Sequence, residues 1–116
     1  MSHALPPTPA LVELAELIGQ AEAQALARIF LQDTARLIET LAAPSSPAVT
    51  PNPHLIAAHN LKSTAHLIGA YELSTRARDL EQRLKTGGAA PTRSEVDALR
   101  ADYQRIQDLL TNFVSA

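Results

Sequence analysis

The last third of the chain narrows most sharply the folds open to it. Val96, Leu99, Tyr103, Ile106, Leu110 and Phe113 follow one another at spacings of 3, 4, 3, 4 and 3. On a helix turning about 100° per residue these side chains fall in one stripe, which predicts a long amphipathic helix with a single face for a core. The same period recurs upstream. Leu73, Ala77, Leu80 and Leu84, within a segment over about 72–86, are spaced 4, 3 and 4, and Leu26, Phe30, Leu37 and Leu41 share a face of a segment over about 21–42. No strand pattern competes. Stripes one face wide cannot be buried by their own helices, so the helices must pack against one another.

Local signals give the starts and stops. Thr8-Pro9 offers an N-cap with proline at the first helical position, opening a short helix over about 9–18 that Gly19 separates from the next by a bend. The helix over 21–42 should end before Pro44. Residues 43–53, APSSPAVTPNP, carry four prolines and no helical period, and form the clear inter-helix loop. Asn52-Pro53 or Thr50-Pro51 starts the next helix, which is expected to run to about Ala70. That span takes in Gly69, where glycine inside a helix costs about 1 kcal/mol relative to alanine, so a close helix crossing or a bend is expected there. Gly87-Gly88 ends the fourth segment as a C-cap, and Thr92 with Glu95 has the spacing of a capping box. With short connections favouring antiparallel neighbours, the expectation is an all-α, up-and-down antiparallel four-helix bundle with a short additional N-terminal helix. Residues 1–8, with Pro6 and Pro7, read as a flexible lead-in, and residues 9–116 as one domain.

Composition removes several classes of function. Hydrophobic residues make up 46% of the chain but aromatic ones only 3%, so the core is built from Leu, Ile, Val and Ala, a usage that favours helix packing. A net charge of −2 without a basic run gives no footprint for nucleic acid. The absence of cysteine excludes disulfides and thiolate metal sites. No apolar stretch approaches the roughly 18 residues of a membrane span, and no signal pattern opens the chain, so a cytoplasmic protein is expected. Nucleotide-binding and nucleophile-elbow motifs are absent, which leaves no visible means of binding ATP. The four histidines invite a metal reading that their spacing opposes. His59 and His66 are seven residues apart, about 10 Å along a helix axis. His54 and His59 point to different sides, and no Glu-x-x-His pair is present. Neither metal nor cofactor is expected.

The segment AHNLKSTAHLIGA, residues 58–70, carries the remaining chemistry. His59, Lys62, Ser63 and His66 fall at i, i+3, i+4 and i+7 on one stripe, while Ala57, Leu61, Ala65 and Ile68 face the other way as the buried side. A solvent-facing imidazole has a nucleophilic nitrogen at physiological pH and accepts a phosphoryl group from an activated donor. Lys62 is placed to steer or partly neutralise phosphate charge, Ser63 to give a hydroxyl hydrogen bond, and Leu55 and Ile56 to form an apolar docking rim one turn earlier. A solvated polar stripe that happens to contain His, Lys and Ser is the default alternative for such a face.

The run AHNLKSTAHLIGAYEL resembles the signature of histidine phosphotransfer (HPt) domains. The matching residues are His59, Leu61, Lys62, Ser63, Ile68, Gly69, Ala70 and Leu73, followed by Leu80 and Glu81, and the resemblance extends over about residues 9–114. Two positions depart from the pattern. Many members carry glycine where this chain has Ser63, and His66 stands where a small residue is common.

The resemblance implies that His59 takes a phosphoryl group from a receiver-domain aspartate or a histidine kinase system and passes it to another receiver. It also implies that Lys62 and Ser63 hold the group, and that Ser63 and Gly69 leave room for close approach. A Leu55/Ile56 rim with His66 beside it would then meet the receiver. The protein would be a phosphoryl carrier rather than an enzyme, and a monomer, with Met1 leaning the expectation toward a free-standing carrier. The competing class is a helical module that binds a receiver without accepting phosphate. A homo-oligomer would need a second apolar stripe, for which the Leu14/Leu17/Ile18 segment and the proline loop leave room.

Overall fold

The computed structural model describes residues 8–44 and 51–115. Five helices follow in order: α1 (Pro9–Ile18), α2 (Gln20–Ala42), α3 (Pro53–Leu67), α4 (Tyr71–Lys85) and α5 (Arg93–Ser115), with no strand among the described residues. Their ends follow the local chemistry. Thr8 Oγ1 accepts the amide hydrogen of Leu11 at 3.2 Å as the N-cap of α1, and Asn52 Oδ1 accepts that of His54 at 2.9 Å as the N-cap of α3. The Asn52-Pro53 alternative is therefore the one used; Thr50, like the rest of 45–50, lies outside the described residues. Gly87, at φ 76°, ends α4, with the Gly88 amide bonded to the Arg83 carbonyl at 2.8 Å. The capping box of α5 is reciprocal: the Glu95 amide donates to Thr92 Oγ1 at 3.1 Å and the Thr92 amide to Glu95 Oε1 at 2.9 Å.

The four long helices close a ring of neighbours, α2 against α3, α3 against α4, α4 against α5 and α5 against α2, with α1 lying on α2. Cross-helix hydrogen bonds run in opposite order along their partners. Gln24 reaches the Phe113 carbonyl at 3.0 Å, the Tyr103 hydroxyl the Leu31 carbonyl at 3.0 Å, and Arg100 the Glu39 carboxylate at 2.9 Å. Arg105 pairs with Glu72 at 3.1 Å and Arg83 with Glu95 at 2.7 Å in the same manner between α5 and α4. The core between them is Phe30, Leu37, Ile38, Leu41, Leu61, Leu73, Leu80, Leu99 and Leu110 with alanines at close crossings, as the low aromatic content requires.

Two expectations need correction. Leu26 is not a core residue of α2: it is 37% exposed, and Ala23 and Ala27 take the inward positions, so that the neighbouring helices come close and the larger side chain is displaced outward. Gly69 is not inside a helix, because α3 stops at Leu67 and the Ala70 amide reaches back to the Ala65 carbonyl at 2.8 Å. Gly69 there has φ +82°, and a Cβ on it would lie 2.9 Å from Thr8 Oγ1 and 3.1 Å from Ala10 Cβ. A left-handed turn and a close approach by α1 both demand glycine. Thr8, the expected N-cap of α1, also donates its hydroxyl to the Ile68 carbonyl at 2.7 Å; residues 1–7 of the expected lead-in lie outside the described residues. Of the segment considered for a second apolar stripe, Leu14 packs partly against the core while Leu17 is 81% exposed.

Candidate functional site

The site is built on the facing surfaces of α3 and α4. Ala57, Ala58, Leu61, Ala65 and Ile68 are buried, which fixes the rotation of α3 about its axis and turns His59 outward. Its side chain is 58% exposed. On α4 the buried Leu73, Ala77, Leu80 and Leu84 set the rotation, and Glu81 falls within that apolar stripe, only 2% exposed.

A buried carboxylate must be paired or protonated. Glu81 is paired on both oxygens. Oε2 accepts a hydrogen bond from Nδ1 of His59, and Oε1 takes the Lys62 ammonium at 2.6 Å. Lys85, one turn along α4, brings a second ammonium to 3.8 Å from Oε2. The Lys62 hydrogen bond, opposed by burial and assisted by His59 and by the charges of Lys62 and Lys85, holds the Glu81 carboxyl below its ordinary 4.5. Glu81 is thus an anion at neutral pH, and an anion accepts but does not donate. In its neutral form the His59 ring therefore carries its hydrogen on Nδ1, and its lone pair resides on Nε2. Nε2 makes no hydrogen bond to any described residue.

The remaining expected residues divide between this centre and its margins. Lys62, only 29% exposed, lies at the centre with its ammonium on Glu81, and its backbone carbonyl accepts the Ser74 hydroxyl at 2.9 Å. Ser63 is exposed, with its hydroxyl donated back to the His59 carbonyl at 3.3 Å. Ile56 is 45% exposed one turn before His59, whereas Leu55 is partly buried against the core, so the expected rim is carried outward by Ile56. His66 is exposed, its ring 5.3 Å from that of Tyr71 and tilted by 53°. Gly69 packs under Thr8 and Ala10 at the α3–α4 turn. Among the described residues no group of His, Asp and Glu is arranged to hold a metal ion, and no helix is long and apolar enough to cross a membrane.

The sequence model of the Hpt domain matches residues 25–109, most of the chain and all of the site just described. The chain belongs to the Hpt domain family. Hpt domains are phosphocarriers that work in histidine phosphotransfer, with receiver domains and kinases as their partners. No curated protein and no solved structure gave a match to the chain.

Within this Hpt domain the residues of the candidate site that sequence reasoning missed are Lys85 and, above all, Glu81. Glu81 was noted only as matching the pattern, although one signal was available: it lies three residues before Leu84 and four after Ala77, on the apolar stripe of α4. A carboxylate at such a position needs a cationic partner on the next helix. Periodicity does not tell which helix that is.

Proposed function

We propose that the protein is a phosphorelay carrier in which His59 accepts a phosphoryl group on Nε2 and hands it to another receiver. The donor is a receiver aspartyl phosphate or a histidine kinase system. The observation that carries this reading is the hydrogen bond from Nδ1 of an exposed His59 to the buried Glu81 carboxylate. The chemistry follows from that tautomer. Nε2 attacks phosphorus, the N–P bond forms, the P–O bond to the receiver aspartate breaks, and its electron pair leaves as carboxylate. No proton moves. The ring becomes cationic with Nδ1–H in place, and the fixed Glu81 carboxylate faces the charge as it grows. Donation to the next receiver is the same path reversed.

Lys62 adds positive charge beside the phosphoryl group while keeping Glu81 ionised, and the small Ser63 leaves the face of the ring open. Ile56, with Leu55 beneath it and His66 two turns on, forms the margin that a receiver would cover. Gly69 serves docking indirectly, by letting α1 close on the α3–α4 turn. The reading includes an up-and-down order of the four long helices over one domain, a monomer, a cytoplasmic setting, and no ATP binding by this chain.

Incubation of the wild type and His59→Gln with phosphorylated receiver domains tests it. Acid-labile phosphate is expected on the wild type alone, with both proteins folded to the same extent. Binding of a receiver without label on either protein would support the phosphate-independent module instead.

A further inference from the structure

The two lysines at Glu81 are held very differently, and the difference assigns them different tasks. Among the described residues Lys62 is the sole partner of Oε1, at 2.6 Å, and its side chain is 29% exposed. Were its ammonium to leave, one oxygen of a buried carboxylate would be stripped of its hydrogen bond, which is among the more costly changes a folded chain can make. Lys85 is 3.8 Å from Oε2, beyond hydrogen-bond distance, and 59% exposed. Oε2 already accepts the hydrogen of Nδ1, so departure of Lys85 leaves no group without a partner. A long contact made by an exposed ammonium contributes little to stability and is readily exchanged.

When Nε2 becomes phosphorylated, a group with two negative charges appears on the imidazole ring that shares Oε2 with Lys85. Its oxygens are stronger acceptors than a carboxylate already twice engaged. The lysine stem is long and flexible, and Lys85, held only at 3.8 Å from Oε2, is free to redirect its ammonium, whereas Lys62 is anchored at 2.6 Å.

We propose that Lys85 is the mobile cation of the site: it swings from Glu81 to the phosphoryl group on Nε2 of His59, while Lys62 stays on Glu81 as a positioning residue. The proposal rests on His59 being the phosphoacceptor. It makes Lys85 a catalytic residue that touches the transferred group, stabilising the charge on its oxygens as the N–P bond forms.

The test uses the full chain and phosphoramidate, a small donor that needs no receiver docking. Its phosphoryl group passes to Nε2 with release of ammonia, so the rate of labelling reports the chemistry of the site alone. Lys85→Gln is expected to label about tenfold more slowly, less than the effect of a buried oxyanion donor because the cation is exposed. Lys85→Arg should restore most of the rate, and thermal unfolding of both variants should match the wild type. In 15N-labelled protein the Lys85 ammonium signal should shift when His59 is phosphorylated, with Lys62 comparatively unmoved. Labelling of Lys85→Gln at the wild-type rate, or an unshifted Lys85 signal, would overturn the role of Lys85 while leaving His59 as acceptor. A wild type that takes no label at His59 would instead overturn the carrier reading and the Lys85 assignment with it.

Discussion

Replacing Lys62 by methionine isolates what the buried carboxylate demands. Methionine keeps much of the apolar stem and removes the ammonium that sits 2.6 Å from Glu81 Oε1. Breaking a fully buried ion pair by removing one partner costs about 3–5 kcal/mol. Here the cost is smaller, because Glu81 is covered by three side chains that themselves meet solvent and because His59 and Lys85 remain beside Oε2. A loss of about 2 kcal/mol is expected at pH 7, a fall in urea midpoint of roughly 1–2 M with an unchanged slope.

The pH dependence of that loss has a definite sign. In the wild type the folded carboxyl titrates below 4.5, so its contribution is fully present above 4.5 and is lost as pH falls through the lowered value. In Lys62→Met the largest cause of the lowering is gone and burial opposes ionisation, so the folded carboxyl takes up its proton at higher pH. The gap between the two proteins should therefore be greatest near neutrality and narrow below pH 4.5. Urea titrations at pH 7 and pH 4 measure both quantities. A gap under about 0.5 kcal/mol at pH 7, or one that widens in acid, would refute the assignment of Glu81 as an anion held by Lys62.

Other consequences are separable from the site. Gly69→Ala places a Cβ 2.9 Å from Thr8 Oγ1 at φ +82° and is expected to cost about 2–3 kcal/mol, read as a lowered melting temperature. Loss of nothing measurable would contradict the close seat of α1 on the α3–α4 turn. Glu95, whose carboxyl is drawn down to about 2 chiefly by its Arg83 hydrogen bonds against the pull of burial, supports α5 through its capping box. Glu95→Gln should cost about 1 kcal/mol after solvent screening. That cost should be constant above pH 4.5 and shrink as the wild type is taken toward pH 2, because a lowered carboxyl loses its contribution in acid. A pH-independent difference between Glu95→Gln and wild type would count against the ion pair. Leu26→Gln, at a position 37% exposed, is expected to change stability by no more than about 0.5 kcal/mol, while Ala27→Leu overpacks a buried crossing and costs about 1–3 kcal/mol. Equal costs would put Leu26 back in the core.

Much of the fold was legible because its boundaries are local. Thr8-Pro9, Asn52-Pro53, Gly87-Gly88 and the Thr92/Glu95 pair each act within one turn, and each was read from a few residues. The stripes of α4 and α5 were equally plain, since a single face of leucines marks what is buried. Gly69 was misplaced because the connection between α3 and α4 is so short that the apolar pattern runs through it, and the reason for the break, α1 packing over the turn, is sixty residues away in sequence. Leu26 failed for a related reason. Alanine is as good an inward residue as leucine when helices cross closely, and closeness is a property of the partner.

At the site the outward rotation of His59 followed from Ala57, Leu61, Ala65 and Ile68, but the tautomer did not. It is set by Glu81, twenty-two residues downstream on another helix. A second carboxylate with the same logic, Asp102, is 3% exposed on α5 and held by Arg76 at 2.6 Å and by Arg105, and it too was invisible until the helices met.

In this reading Glu81 holds the hydrogen on Nδ1 of His59 and so leaves Nε2 to accept the phosphoryl group. Long-range 1H–15N NMR of the imidazole, before and after phosphorylation, measures it most directly. The hydrogen is expected on Nδ1, with 31P coupling to Nε2 of His59 once phosphate is transferred. A ring protonated on Nε2, or phosphate found on Nδ1 or on His66, would contradict it.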